Sequence, residues 1–249
     1  MSATTLASFP DGYRTCVFGA TGGIGRAFVE RIAGDPRAGA VHAGARRAFD
    51  PPEGAAAFAF DLESEDSIAA ACARVAADGP LHLVVVATGV LHDGAALSPE
   101  KTWRAQSPEA FARAFAINTT GPALIAKHML GHLAKGEKAV FAALSARVGS
   151  ISDNRLGGWH AYRASKAALN MLIRTFAIEL AQRNRTACAA ALHPGTVDTA
   201  LSQPFQSGVR AERLFTPQQS AGHLLDVIDT LTPAQSGKLF AWDGAEVPF

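Results

Sequence analysis

The chain is expected to fold as one α/β domain, a doubly wound parallel sheet with helices on both faces. Three observations predict it. Short apolar runs alternate with longer runs whose apolar residues recur at helical period, the order that builds a parallel sheet covered on both sides. The first apolar run, 14–18 (Arg-Thr-Cys-Val-Phe), passes straight into a glycine-rich turn and then a helical pattern. No internal repeat or long linker divides the 249 residues, so a single domain spanning 1–249 with a substantial core is expected.

In chain order, strands are predicted over 14–19, 40–45, 57–60, 81–87, 138–144, 186–192 and 238–242. Helices are predicted over 24–33, 64–77, 107–134, 160–183 and 217–231. The helix over 160–183 rests on good helix formers with apolar residues at helical period. The helices over 107–134 and 160–183 carry apolar residues on more than one face, including Phe111, Phe115, Leu124, Met129, Met171, Leu172 and Phe176. A second apolar face can be covered by a partner subunit, so a homodimer or a homotetramer of such dimers is expected. Segments 91–106 and 200–216 are the longest without periodicity. Both follow strand ends on the carboxyl edge, where open α/β sheets bind ligands.

The glycine turn, Gly19-Ala20-Thr21-Gly22-Gly23-Ile24-Gly25, points to a Rossmann-like dinucleotide site. Backbone N–H groups and the positive end of the following helix form an anion site suited to a pyrophosphate. Gly19, Gly23 and Gly25 lack the β-carbon that would obstruct the turn or the cofactor. The spacing is Gly-x-x-x-Gly-x-Gly, not the usual Gly-x-Gly-x-x-Gly. Where an acidic residue would hold the ribose hydroxyls of NAD, about 20 residues on, the chain has Ala45, Arg46 and Arg47. A guanidinium suits a 2′-phosphate, which favours NADP (NADPH) over NAD; the plainer alternative is that both arginines solubilise a loop. Asp50, before two prolines, reads as a turn residue.

Tyr162 and Lys166 stand at i and i+4 in Trp-His-Ala-Tyr-Arg-Ala-Ser-Lys (159–166), so one helical face can aim both at one ligand. A phenol ionises near pH ~10, and an ammonium beside it favours the phenolate, bringing the group toward acid–base work at neutrality. By itself the spacing also fits a surface Tyr and Lys one turn apart. Its combination with the glycine turn decides for chemistry.

Together these motifs resemble the short-chain dehydrogenase/reductase family over nearly the whole chain. The stretch 145–170 and the ending 237–249 are most similar to its C-factor-like branch. The resemblance implies a catalytic tetrad of Asn118, Ser145, Tyr162 and Lys166. It implies cofactor contacts at Gly19, Thr21, Gly22, Gly23, Ile24, Gly25, Arg46, Asp61 and Leu62. Further contacts are implied at Ala87, Thr88, Gly89, Tyr162, Lys166, Pro194, Gly195, Val197 and Thr199. Tyr162 is then the general acid in reduction, and Ser145 stabilises charge on the carbonyl oxygen. Lys166 lowers the Tyr162 pKa and binds the nicotinamide ribose, while Asn118 holds a relay water.

The sequence departs from the family pattern in three places. Phe18 precedes the glycine turn where a Thr is usual, and Ala87 and Thr88 replace an Asn and Ala that brace the central strand. Ser145 also lies 17 residues before Tyr162, a longer interval than usual. The extra length falls in a polar, glycine-rich loop, 152–158, whose backbone is expected to be less fixed. Ser145, Ser150 and Ser152 all remain candidates for the catalytic serine, and the strand-end position favours Ser145.

Charge and composition narrow the function further. A net charge of +1 suggests neither a nucleic-acid footprint nor an anionic membrane surface. No run reaches the ~20 apolar residues of a membrane span. The mildly polar residues 1–10 and three scattered cysteines suggest a cytoplasmic protein. His128 and His132 share a helical spacing but lack the third ligand of a metal site, so no metal is expected. His92 and His160 stand beside expected active-site elements and can touch substrate, and Trp159 reads as a core or interface aromatic near enough to the loop to line a pocket. The reading is an oxidoreductase moving hydride between NADPH and a small-molecule carbonyl or alcohol. An enoyl reductase and a dinucleotide-binding regulatory or signalling protein are the alternatives.

Overall fold

Strand β1 (Tyr13–Phe18) leads through the glycine turn into α1 (Gly23–Ala33) in the computed structural model, which describes residues 5–94 and 97–249. Next come β2 (Ala38–Ala45), β3 (Ala55–Ala59), α2 (Glu65–Ala77) and β4 (Leu83–Val86). After a long connection follow α3 (Pro108–Phe115), α4 (Gly121–Met129), β5 (Ala139–Leu144), α5 (His160–Arg183) and β6 (Ala187–His193). The chain closes with β7 (Thr196–Val197), β8 (Leu214–Phe215), α6 (Pro217–Thr230), β9 (Lys238–Ala241) and β10 (Glu246–Val247). Residues 1–4 of the N-terminal stretch and residues 95 and 96 of the 91–106 segment lie outside the described residues.

The main sheet runs β10-β9-β6-β5-β4-β1-β2-β3, parallel except where β10 meets β9. The chain starts at β1, builds outward to β3, then returns to the other side of β1 with β4. The order therefore reverses between β1 and β4, which opens a crevice at their carboxyl ends. Successive side chains of β4 serve opposite faces. Val84 and Val86 join Phe18, Phe141, Met129 and Ile173 on one face, while Leu83 and Val85 join Phe28, Ile32, Leu224 and Ile228 on the other. A strand buried on both faces reads as the unbroken apolar run seen here.

The expected strands and four of the expected helices form within two residues of the predicted bounds. The predicted helix 107–134 does not form as one element. It divides into α3, a π-helical turn at Ala116–Thr120, α4 and a 3-10 turn at Leu130–His132. Pro122 has no N–H to offer the carbonyl four residues earlier, and Gly121 instead donates to Ala116, five residues back. The interruption falls on Asn118.

Burial divides the residues expected to form a second apolar face. Met129 is fully buried and Phe176 packs edge-on to Phe141, so both serve the core. Phe111 and Phe115 are half-buried and stack on each other at 6.4 Å, and Met171 is 66% exposed. No helix among the described residues is long and apolar enough to cross a membrane.

Candidate active site

The glycine turn is built around Gly19, whose φ of 93° lies in the left-handed region open to glycine. The amides of Gly19 and Ala20 both donate to the Gly44 carbonyl, at 2.9 and 2.8 Å, which fixes the turn against β2. A β-carbon on Gly25 would lie 2.1 Å from the Gly19 carbonyl oxygen, so the helix can start this close to the turn only with glycine there. At the start of α1, Gly22 supplies no side-chain cap and the first turn has no acidic residue. Its first amides therefore have no side-chain acceptor and are open to an outside anion.

A cavity of about 380 Å³ extends from this turn over the ends of β4 and β5. Gly22, Gly23, Ile24 and Gly25 form one wall, and Ala87, Thr88 and Gly89 the floor. Ser145, Tyr162 and Lys166 close the far end with Pro194 and Thr199. The oxygen Oγ1 of Thr88 is buried there without a hydrogen-bond partner, a polar atom suited to a bound ribose or amide. These residues fit a nicotinamide dinucleotide.

Other expected contacts lie around the cavity. Gly19 sits behind the turn, and Thr21 is exposed beside it. Arg46 and Arg47 are exposed just past the end of β2. Asp61 is exposed past β3, where its Oδ1 accepts from the Glu63 amide at 3.0 Å, and Leu62 packs against the core. Gly195 and Val197 line a second cavity of about 350 Å³ that opens from the first at Ile24, Ser145 and Tyr162.

Lys166 is 3% exposed and its Nζ donates to the Leu144 carbonyl at 2.7 Å. The nitrogen lies 5.9 Å from the centre of the Tyr162 ring. Burial lowers the Lys166 pKa to about 7 and raises that of Tyr162 to about 12. The expectation that Lys166 lowers the Tyr162 pKa is thus not met in the free site. Burial is the cause of both shifts, since it disfavours the charged form of each group.

Asn118 braces the chain just past β4, where the usual strand-end Asn is replaced. Its Oδ1 accepts from the Val90 amide at 2.8 Å, and its Nδ2 donates to the Val90 carbonyl at 2.9 Å and to Ser165 Oγ at 3.1 Å. The Asn118 carbonyl, in turn, has no α-helical donor, because Pro122 carries no N–H.

Of the three serines, Ser145 lines both cavities. Ser150 is buried and its Oγ accepts from the Asp153 amide at 3.1 Å. Ser152 donates to the Phe249 carbonyl from its amide at 3.2 Å and its hydroxyl at 2.5 Å. The intervening loop is well tied, contrary to the expectation of a less fixed backbone. Arg163 donates to the carbonyls of Val148, Gly157 and Gly158, and Arg147 pairs with Asp153 at 2.6 Å.

The second cavity joins Trp159, expected near the site, to residues that sequence patterns did not assign. Phe205 stacks at a tilt on Trp159 with ring centres 5.1 Å apart, and Val148, Leu201 and Val209 complete an apolar lining. Trp159, whose φ is 53°, stands edge-on to Tyr162 at 6.3 Å. His92 reaches the Ala200 carbonyl at 3.0 Å and Phe205 at 5.8 Å, joining the two long loops across the cavity mouth. His193, on the wall, is held neutral as burial lowers its pKa to about 4. His160 Nδ1 is buried without a partner, and the residue lines neither cavity. Among the described residues no cluster of three metal-ligating side chains is found.

Comparison with known proteins places this geometry in context. A family model described as short chain dehydrogenase matches residues 14–210. The C-signal protein of Myxococcus xanthus is 39% identical over 138 residues, which cover 55% of this chain and 78% of that protein. A 1-hydroxy-2-glutathionyl-2-methyl-3-butene dehydrogenase of Rhodococcus sp. (strain AD45) is 32% identical over 184 residues, 74% of this chain and 76% of that one. Among solved structures, an NADPH-bound carbonyl reductase from chicken fatty liver superposes with a TM-score of 0.79 at 25% identity, covering 96% of this chain and 100% of that one. The carbonyl reductase Sniffer of D. melanogaster gives 0.80 at 20% identity, covering 96% and 99%, a likeness of fold alone.

Proposed function

This chain belongs to the short-chain dehydrogenase family of nicotinamide-dependent oxidoreductases, and on that premise we propose that it is an NADPH-dependent reductase of small-molecule ketones or aldehydes. The observation that carries the proposal is the meeting of Ser145 and Tyr162 where the cofactor cavity opens into the apolar one. A carbonyl group held there would have a hydroxyl and a phenol beside its oxygen and the nicotinamide on the other side.

The cofactor would supply hydride, and the protein would orient the reactants and move the proton. The high pKa of Tyr162 keeps it protonated at neutral pH, the state a general acid needs in reduction. Lys166 Nζ, held in place by the Leu144 carbonyl, would bind the nicotinamide ribose. Arg46 would bind the 2′-phosphate. The Phe205 and Trp159 rings and the neutral His193 would favour an uncharged, apolar group on the carbonyl carbon. The NADPH-bound state of the chicken carbonyl reductase supports the same cofactor here.

A cytoplasmic location fits the buried free thiols. The half-exposed Phe111–Phe115 pair and Met171 support a homodimer or homotetramer. Loss of NADPH absorbance across neutral aldehydes, ketones and enones tests the function. Turnover of the carbonyls is the expected result. Turnover restricted to enones would establish the enoyl-reductase reading, and binding of NADPH with no turnover would establish a regulatory one.

A further inference from the structure

We propose that Asn170 is a positioning residue that sets which way the Ser145 hydroxyl points its proton. The proposal rests on the reading of Ser145 as a donor to the substrate carbonyl. Asn170 follows Tyr162 and Lys166 at successive four-residue steps along α5, so all three lie on the face turned toward the end of β5. It is 2% exposed. Asparagine is a poor residue for a helix interior, because its amide competes with the helical hydrogen bonds. A buried one in mid-helix therefore calls for specific partners.

Two partners are present. Ser145 Oγ donates to Asn170 Oδ1 at 2.6 Å, and Asn170 Nδ2 donates to the Gly149 carbonyl at the longer distance of 3.4 Å. Ser145 is itself 4% exposed and fixed at the end of β5, where its amide donates to the Leu192 carbonyl at 2.8 Å. A serine hydroxyl carries one proton. Here that proton points at Asn170, and only lone pairs face the substrate side.

A carbonyl oxygen is also an acceptor, so Ser145 cannot bind it in this state. Swinging the hydroxyl alone would leave Asn170 Oδ1 buried and unpaired, which is unfavourable. Turning the amide by half a turn about its terminal bond places Nδ2 against Ser145 Oγ instead. The hydroxyl proton is then released to the substrate, and the donated hydrogen bond polarises it into a better donor. The turn gives up the long bond to Gly149 and leaves Oδ1 facing that carbonyl, a cost that the new bond from Nδ2 to Ser145 and the bond from Ser145 to the substrate together offset. An amide can serve both states because it carries an acceptor and a donor on one planar group; a carboxylate serves only the first.

The experiment begins with carbonyl reduction by the parent enzyme. Absence of turnover on every carbonyl would strike the functional reading and not the role of Asn170. With turnover in hand, Asn170→Asp should lower kcat about 10- to 100-fold at pH 8 while NADPH affinity stays within about twofold, since an oxyanion-side donor is withheld. Activity should return as the pH falls and the buried carboxyl takes up a proton it can donate. A loss equal at every pH, or none at any pH, would overturn the proposal. Asn170→Ala in the parent and in a Ser145→Ala background gives a second test should the Asp variant fail to fold. We expect about a tenfold loss of kcat in the first and no further loss in the second, because the two residues act through one bond. Equal losses in both backgrounds would show that Asn170 only supports the fold.

Discussion

The ammonium of Lys166 donates to the carbonyl of Leu144 at 2.7 Å, tying the helix that carries Tyr162 to the end of the strand that carries Ser145. With the Ser145–Asn170 bond, this contact holds the two groups proposed to flank the substrate oxygen on elements tied to each other. It also holds the Lys166 nitrogen at the wall of the cofactor cavity.

The first prediction concerns pH. Tyr162 titrates at about 12 in the free site, so at neutral pH it is a phenol and can donate but not accept. Carbonyl reduction should therefore show little gain as pH rises from 7 to 10. Alcohol oxidation needs the phenolate and should accelerate over the same range. Paired pH–rate profiles in the two directions check this. Oxidation that is independent of pH would argue against Tyr162 as the base.

The proposed preference for NADPH would be read at Arg46. Arg46→Ala should remove one charge-assisted hydrogen bond to a 2′-phosphate, about 1.5–3 kcal/mol. NADPH binding should weaken roughly 10- to 100-fold, with NADH nearly unchanged. Fluorescence titration of both cofactors measures it. Equal weakening of the two would show that Arg46 does not read the phosphate.

The serine assignment gives a third prediction. Ser145→Ala should lower kcat by about 10²–10³, the scale of losing one oxyanion donor. Ser150→Ala and Ser152→Ala should stay within about tenfold, because their hydroxyls are bonded to Asp153 and Phe249 and neither residue lines the cavities. A crippled Ser150→Ala with a mild Ser145→Ala would reverse the assignment.

Assembly can be tested at Met171. The Met171→Glu variant places a charge at a residue that is 66% exposed on α5, beside the proposed contact face. Light scattering should show the parent as a dimer or tetramer and the variant shifted toward monomer, since an unpaired charge is poorly tolerated in a buried interface. A monomeric parent at micromolar concentration would contradict the oligomer.

Much of this architecture was legible in the sequence because local chemistry dictates it. The glycine turn between β1 and α1 follows from the φ of Gly19 and the contact at Gly25, which no side chain would permit. The Tyr162–Lys166 spacing follows from helix geometry alone. The broken helix was visible in principle, since Pro122 stands in its middle, but apolar periodicity continues through the interruption and masks it. The Ser145–Asn170 bond and the Trp159–Phe205 stack join segments 25 and 46 residues apart, and no periodic signal links them. The Lys166 effect was misjudged for a physical reason. Proximity can be read from spacing, whereas desolvation depends on everything packed around the pair.

Tyr162→Phe tests the central claim most directly, because it removes one oxygen from the wall of the cavity and nothing from the core. NADPH binding should stay within about twofold of the parent and single-turnover carbonyl reduction should fall by at least about 10², the scale of losing a general acid. Single-turnover reduction within a few-fold of the parent would contradict the account, for the proton would then come from another group.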